Sequence, residues 1–204
     1  MAGFADCKPD PAMLRRARRG DMKAHEVLYR SYGGPVYTLA TRLLGDRSMA
    51  DEVLQETSIE VIRHLRTFRE DAAFGGWVKR IATNKCLALL RSAWHRKSRS
   101  LEGLSPIDED PEGPAGGATS EDLPGRLGEQ QRLERALATL SPTARAVVWL
   151  YDVEGHSHEE IARMMGKTVS FSKSRLSRAH EQLRAVLGQD TDEVKACTQQ
   201  PNSC

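Results

Sequence analysis

Apolar residues along the first half of this chain recur at helical spacing, and strict alternation of the strand type appears nowhere in it. Asp10-Pro11 is an N-cap followed by proline at the first helical position, and it opens a short helix that Gly20 ends. Asp21 caps a second helix carrying Ala24, Val27, Leu28 and Tyr32, which Gly33-Gly34-Pro35 is predicted to break or bend. Val36, Leu39, Ala40, Leu43 and Leu44 resume the period up to Gly45. Asp46 or Ser48 caps a long helix reaching about Phe68, with Val53, Leu54, Val61, Ile62 and Leu65 on its apolar side. Thr67 to Gly76 reads as a loop. In the helix that follows, Val78, Ile81, Ala82, Cys86, Leu89 and Ala93 make a buried face, while Trp77, Arg80, Asn84, Arg91 and His95 share the opposite one.

From Leu101 to Gly128 the chain is rich in Gly, Pro, Asp and Glu and cannot bury a core. Helical periodicity returns at Glu129, and Ser141-Pro142 opens another helix carrying Ala146, Val147, Leu150 and Tyr151. Ser157 and Glu160 form a capping box before Ile161, Ala162 and Met165, and Gly166 sits where a helix needs a left-handed stop. A last helix is predicted to start near Ser170 or Ser172 and to run to Leu187. Leu176, Ala179, Leu183, Val186 and Leu187 form its apolar side, and the tail beyond Gly188 reads as disordered. The predicted fold is all-α. Two small helical domains, 10–99 and 129–188, are joined by a flexible acidic linker at 100–128 and followed by a disordered tail at 189–204.

The segment from Ser157 onward has the grammar of a helix-turn-helix, whose second helix enters the DNA major groove N-terminal end first. Lys173, Ser174, Ser177 and Arg178 crowd the first two turns of that helix, where Lys and Arg can meet phosphate or guanine and Ser can donate to either. The plainer alternative is a solvated basic face in a helical bundle. On the earlier long helix, Trp beside Arg and Asn is the set a protein uses to stack on and hold single-stranded DNA. There the plainer alternative is a polar face with one exposed aromatic.

Charge and cysteine content narrow the function. The 204 residues carry a net charge of only +2, so nucleic-acid binding must come from local segregation of charge. No apolar run is long enough to span a bilayer, and the first twenty residues lack a signal-peptide core, which predicts a cytoplasmic protein without membrane insertion. Cys7, Cys86, Cys197 and Cys204 lie far apart, so neither a zinc ribbon nor a redox dithiol is indicated. The six histidines do not cluster with acids or thiols at ligand or triad spacing, His156 and His158 apart, and those two flank the cap Ser157. Neither catalytic residues, nor a cofactor, nor a metal site is expected.

In this order the parts resemble the sigma factors of bacterial RNA polymerase, in particular the extracytoplasmic-function group. The likeness is carried by GDMKAHEVLYRSYGGPVYTLATRLLGDRSMADEVLQETSIEVIRHLRTF with FGGWVKRIATNKCLALLR, and by LERALATLSPTARAVVWLYDVEGHSHEEIARMMG with KSRLSRAHEQLR. The resemblance implies two helical domains, region 2 and region 4. It implies that Asp51, Glu52, Gln55 and Glu56 dock on the clamp helices of the polymerase's largest subunit, with a second contact of the factor to the beta flap. The loop Phe68 to Gly76 is similar to the family's capture loop for a flipped minus-ten base, with Phe68, Trp77, Arg80, Asn84 and Arg91 holding the melted strand. Lys173, Ser174, Ser177 and Arg178 would read the minus-thirty-five element of promoter DNA. The acidic linker is similar to one that threads the polymerase's active-site and RNA-exit region. An anti-sigma factor would hold the protein inactive until a stress signal.

One departure stands out. The group usually has a small residue, a Thr and a Val before the basic residue of the recognition helix, and here those positions are Ser170, Phe171 and Ser172. The serine is predicted to loosen the helix start, and the phenylalanine must find a new pocket or touch DNA. Two rival functions remain open: a helix-turn-helix regulator that never binds core polymerase, and a metal-responsive sigma factor using Cys197 and Cys204, which supply only half a tetrahedral site.

Overall fold

Side-chain caps fix the start of most helices in the computed structural model, which describes residues 3–69, 73–100 and 128–198. Among the described residues every regular element is helical. A 3-10 turn at Phe4–Asp6 precedes α1 (Pro11–Arg18), whose cap Asp10 accepts from the Ala12 amide at 3.1 Å. Asp21 accepts from the Lys23 and Ala24 amides to open α2 (Met22–Leu44), and Asp46 accepts from Met49 to open α3 (Arg47–His64). Each such cap satisfies amides that the helix itself cannot, at a typical value of about 1 kcal/mol. The described residues form two compact units, one on each side of 101–127. The predicted linker falls, but for its two ends, outside the described residues.

In the N-terminal unit α2 packs on α3 and on α4 (Phe74–Ser100), and α3 packs on α4. Leu28, Tyr32, Val36, Leu39, Leu43, Val53, Val61, Leu65, Val78, Ala82 and Cys86 make the core. Three predicted features differ. Gly33-Gly34-Pro35 neither breaks α2 nor ends it, because the helix runs through Pro35 with Tyr32, Gly33 and Val36 buried against its neighbours. Tertiary burial outweighs the roughly 3 kcal/mol that an interior proline costs. α3 ends at His64 rather than near Phe68, and α4 begins two residues before Gly76, with Phe74 and Gly75 inside it. Val27 and Ile62, counted as apolar-side residues, are 50% and 48% exposed. The 3-10 turn lies so close on the start of α4 that a Cβ on Gly75 would sit 1.8 Å from the Phe4 carbonyl oxygen, so only glycine fits there.

The C-terminal unit runs α5 (Glu129–Thr139), α6 (Pro142–Val148), a wider π-type turn at Trp149–Val153, α7 (His158–Met165) and α8 (Val169–Thr198). Ser141 caps α6, and Ser157 and Glu160 close the capping box of α7, which stops at Gly166 with φ 65°. α8 packs against α5, α6 and α7. It starts one residue before the predicted range, because Thr168 Oγ1 accepts from the Phe171 amide at 3.1 Å and serves as its cap. It also runs ten residues beyond Gly188, so residues 189–198 are helical rather than the predicted disordered tail. Gly188 costs only about 1 kcal/mol in a helix, and no proline intervenes before Pro201. Residues 199–204 lie outside the described residues.

Candidate polymerase and nucleic-acid interfaces

Three polar faces are built on these helices. On α3 the side chains of Asp51, Glu52, Gln55 and Glu56 are all exposed, opposite Ala50, Val53, Thr57 and Val61, which are buried. The spacing places them on one acidic face. Glu56 and Glu60 share Lys85 of α4, at 3.4 and 3.5 Å. Among the described residues no cation pairs with Asp51 or Glu52, so the acidic charge concentrates at the N-terminal end of the face.

On α4, Arg80, Asn84 and Arg91 are exposed and Trp77 is partly so. Trp77 is the outer member of an aromatic cluster, its ring 4.9 Å from Phe68 and 5.7 Å from Phe74, with Phe68 and Phe74 edge to face at 5.5 Å. Phe68 itself is 6% exposed. The expectation that Phe68 meets DNA is therefore corrected: it lies in the core and supports Trp77 from beneath. The side chain of His95, also placed on this face from the sequence, lies outside the described residues. Arg18 of α1 had no role in the sequence reasoning, yet it fixes the chain before the loop. It donates to the Leu65 carbonyl at 3.2 Å and to the Phe68 carbonyl at 2.7 Å, and Arg66 donates back to the Arg18 carbonyl. Its only sequence signal was a basic run at a helix end, which reads as surface.

On α8, Lys173, Ser174, Ser177 and Arg178 are exposed on one face, with Ser172, Leu176 and Ala179 buried on the other. Ser174 Oγ donates to the Phe171 carbonyl at 3.1 Å, so its proton is engaged. The Glu159 carboxyl is held below its usual range by its backbone amide and the Ser157 hydroxyl, with Lys173 adding to the effect. Ser172 does not leave the helix start loose. It is fully buried, and its hydroxyl pairs with His158 Nδ1 at 3.0 Å, while the His158 ring stacks on Tyr151 at 4.6 Å. A polar bridge thus joins α7 to α8 at the position of a buried valine in the group. His180 adds a second tie, to Asp152 at 2.8 Å. Phe171 finds a pocket, at 5% exposed.

Residues 28–96 match the family model for sigma-70 region 2, and residues 130–183 match that for sigma-70 region 4. The chain is 36% identical over 175 residues to the ECF RNA polymerase sigma factor SigE of Mycolicibacterium smegmatis, covering 85% of this chain and 65% of that protein's length. It is 30% identical over 181 residues to the ECF RNA polymerase sigma factor SigM of Mycobacterium tuberculosis, covering 89% of this chain and 86% of that one. The chain belongs to the ECF sigma factors of RNA polymerase. Among solved structures, the sigma factor RpoE of Bartonella quintana, in complex with the anti-sigma factor NepR, aligns over 82% of this chain and 97% of its own with a TM-score of 0.46 and 23% identity.

As a sigma factor the protein serves transcription initiation by RNA polymerase through DNA binding. The region 2 match leaves out α1 and the N-terminal turn, although Arg18 of this sigma factor binds the Leu65 and Phe68 carbonyls and Phe4 lies close against Gly75 at the start of α4. The region 4 match ends inside α8, fifteen residues before Thr198. Burial pushes the Cys86 thiol up to about 12, and burial followed by Asp6 raises that of Cys7, so both stay protonated at neutral pH. Among the described residues no group of three or more His, Cys, Asp or Glu could hold a metal, and no helix is long and apolar enough to cross a membrane. The side chains of Cys197 and Cys204 fall outside that description.

Proposed function

We propose that this sigma factor docks on core polymerase through the α3 face, holds the opened minus-ten strand with Trp77, Arg80, Asn84 and Arg91, and reads the minus-thirty-five element with α8. The observation that carries the reading is the separation of charge: an exposed acidic face on α3 and an exposed basic face on α8, in a chain whose net charge is only +2. A regulator that never bound core polymerase would need neither the acidic face nor the Trp77 helix. On the family's pattern the acidic face meets the clamp helices of the largest polymerase subunit, and the C-terminal unit meets the beta flap. Control by an anti-sigma factor follows from the same family resemblance; such a partner would have to cover one of these two exposed faces.

The test is charge reversal at Asp51 and Glu52, the acidic residues of the face that no described cation pairs with. The double variant to Lys is expected to lose co-purification with core polymerase by tenfold or more, roughly the effect of reversing a close charge pair. Its hydrogen-exchange pattern should stay unchanged, since both side chains are exposed. Retention on core at the wild-type level would remove the acidic face from the docking surface.

On α8 the two basic residues have different roles. Arg178 can fork onto guanine, whereas Lys173 is a point charge whose field is shared with Glu159. Arg178→Ala is therefore expected to relax preference at one minus-thirty-five position by about 1–3 kcal/mol. Lys173→Ala should weaken all upstream sequences alike. Binding over a library of upstream elements separates the two, and a flat loss for Arg178→Ala would end its base-reading role.

A further inference from the structure

The 3-10 turn at Phe4–Asp6 lies outside the residues that match sigma-70 region 2, yet it is seated on the helix that carries Trp77. Its own hydrogen bonds close it: the Gly3 amide donates to Asp6 Oδ2 at 2.7 Å, and the Cys7 amide donates to the Phe4 carbonyl at 3.2 Å. Two anchors then hold it down. Cys7 is 2% exposed and donates its thiol to the Ser31 carbonyl of α2 at 3.0 Å. The Phe4 carbonyl lies against Gly75 of α4, where a Cβ would overlap the oxygen and come within 3.1 Å of Cys7 Cβ. The turn thus straps the start of α4 to α2.

Trp77 shares the turn of helix on which the strap rests. Gly75 falls in the first turn of α4, which the Trp77 amide closes by donating to the Ala73 carbonyl at 3.0 Å. Next to Gly75, Phe74 is 4% exposed, and its ring packs on Tyr32 of α2 at 6.4 Å, on Phe68 at 5.5 Å and on Trp77 at 5.7 Å. Close-packed side chains pass a displacement on instead of absorbing it. A shift of the first turn therefore moves the Phe74 ring and the Trp77 ring with it. The first turn is also the part of a helix least constrained from within, because its amides lack intrahelical partners. An outside strap has most to add there. A ring that stacks on an unpaired base gains affinity when it is held in place before the base arrives.

We propose that the N-terminal turn is a positioning strap for promoter opening: through Phe4 and Cys7 it fixes the first turn of α4, and so the Trp77 ring on which the opened minus-ten strand stacks. This role rests on the reading of Trp77 given above and adds to it a segment that the region 2 match does not contain. Cys7 and Gly75 are positioning residues; neither meets the strand, and both act through Trp77. The close seat of the turn also accounts for glycine at position 75, inside a helix where alanine is the better helix former.

Gly75→Ala and Cys7→Glu each lift the strap, the first by its clash with the Phe4 carbonyl and the second by setting a carboxylate where the thiol is buried. Cys7→Ser keeps both the small volume and a donor for the Ser31 carbonyl, and so keeps the strap. Holoenzyme reconstituted from the full chain and core polymerase is titrated with a fluorescent single-stranded oligonucleotide of the minus-ten element, with Trp77 present and in a Trp77→Ala background. Both lifting variants are expected to weaken oligonucleotide binding by about threefold or more, part of what stacking supplies, with Cys7→Ser at the wild-type level. Co-purification with core should stay unchanged, because the α3 face is not part of the seat of the turn. In the Trp77→Ala background the same substitutions should have almost no further effect, as expected of residues that act through one ring. A turn that served only stability would carry its loss over in full to that background, and this result overturns the strap. Wild-type oligonucleotide binding by Gly75→Ala overturns it as well, and Gly75→Ala decides alone if Cys7→Glu does not fold. If Trp77→Ala weakens binding and Gly75→Ala does not, only the strap fails; if Trp77→Ala itself leaves binding intact, the reading of Trp77 fails and the strap with it.

Discussion

Arg145→Ala is expected to lower hydrogen-exchange protection across α5 to α8 by about 100-fold in the full chain, equivalent to roughly 3 kcal/mol, while leaving α2 to α4 unchanged. Arg145 is 4% exposed and sits in a run of five buried residues, Ala144 to Val148. Its Nε donates to the Leu137 carbonyl at 2.8 Å, and its Nη2 donates to Ala138 at 3.3 Å and Leu140 at 3.0 Å. These carbonyls close the C-terminal end of α5, where Leu137 also accepts from the Leu140 amide and a cation meets the negative end of the helix dipole. Burial lowers the pKa of the guanidinium, but arginine keeps its charge at any working pH. Truncation would remove the arginine donor from all three acceptors, the buried Leu140 carbonyl among them, and open a cavity as well. Arg145→Met fills the volume without the donors, so a loss close to that of alanine would assign the effect to the hydrogen bonds. A loss of protection spread equally over both units, or none, would show that Arg145 does not hold the C-terminal unit together.

The contrast between Arg145 and the helix caps shows where sequence is readable. A cap is a local event: Asp10, Asp21, Asp46, Ser141 and Ser157 each bind amides two or three residues away, so the signal and its effect share one short window. The helical class and the helix-turn-helix segment were legible for that reason. Arg145 reaches α5 carbonyls five to eight residues back, and Arg18 reaches Leu65 and Phe68 across 47 and 50 residues. Nothing in the spacing of a basic residue says that its partner is a distant carbonyl. Pro35 differs on the same ground, since local propensity predicts a break or bend that packing against α3 and α4 overrides. The apolar period likewise could not tell that Val27 and Ile62 face outward. It also could not separate Phe68 from Trp77: both are aromatics at the edge of a loop, and only their stacking order sets which of them meets solvent.

That stacking order makes Trp77 the residue on which promoter opening should depend most. Its ring is partly exposed and is backed by Phe68 at 4.9 Å and Phe74 at 5.7 Å, so one surface is fixed and another is open to a partner. Arg80 and Asn84 lie on the same exposed face of α4. Stacking of an unpaired base on an aromatic ring contributes about 1–3 kcal/mol, which sets an expected loss of tenfold or more in the ratio of open to closed promoter for Trp77→Ala. Arg80→Ala and Asn84→Ala should act in the same direction and less strongly. Binding of holoenzyme to duplex promoter should stay nearly unchanged, because the stacked base exists only once the strands part. Permanganate reactivity of thymines in the minus-ten element reports opening, and retention of promoter complexes at low temperature reports closed binding. Phe68→Ala provides the contrast, since emptying a core position 6% exposed is expected to cost about 3–5 kcal/mol of stability in the N-terminal unit. If Trp77→Ala weakens duplex binding while melting of the bound promoter stays normal, Trp77 belongs to the supporting cluster with Phe68 and not to the surface that holds the opened strand.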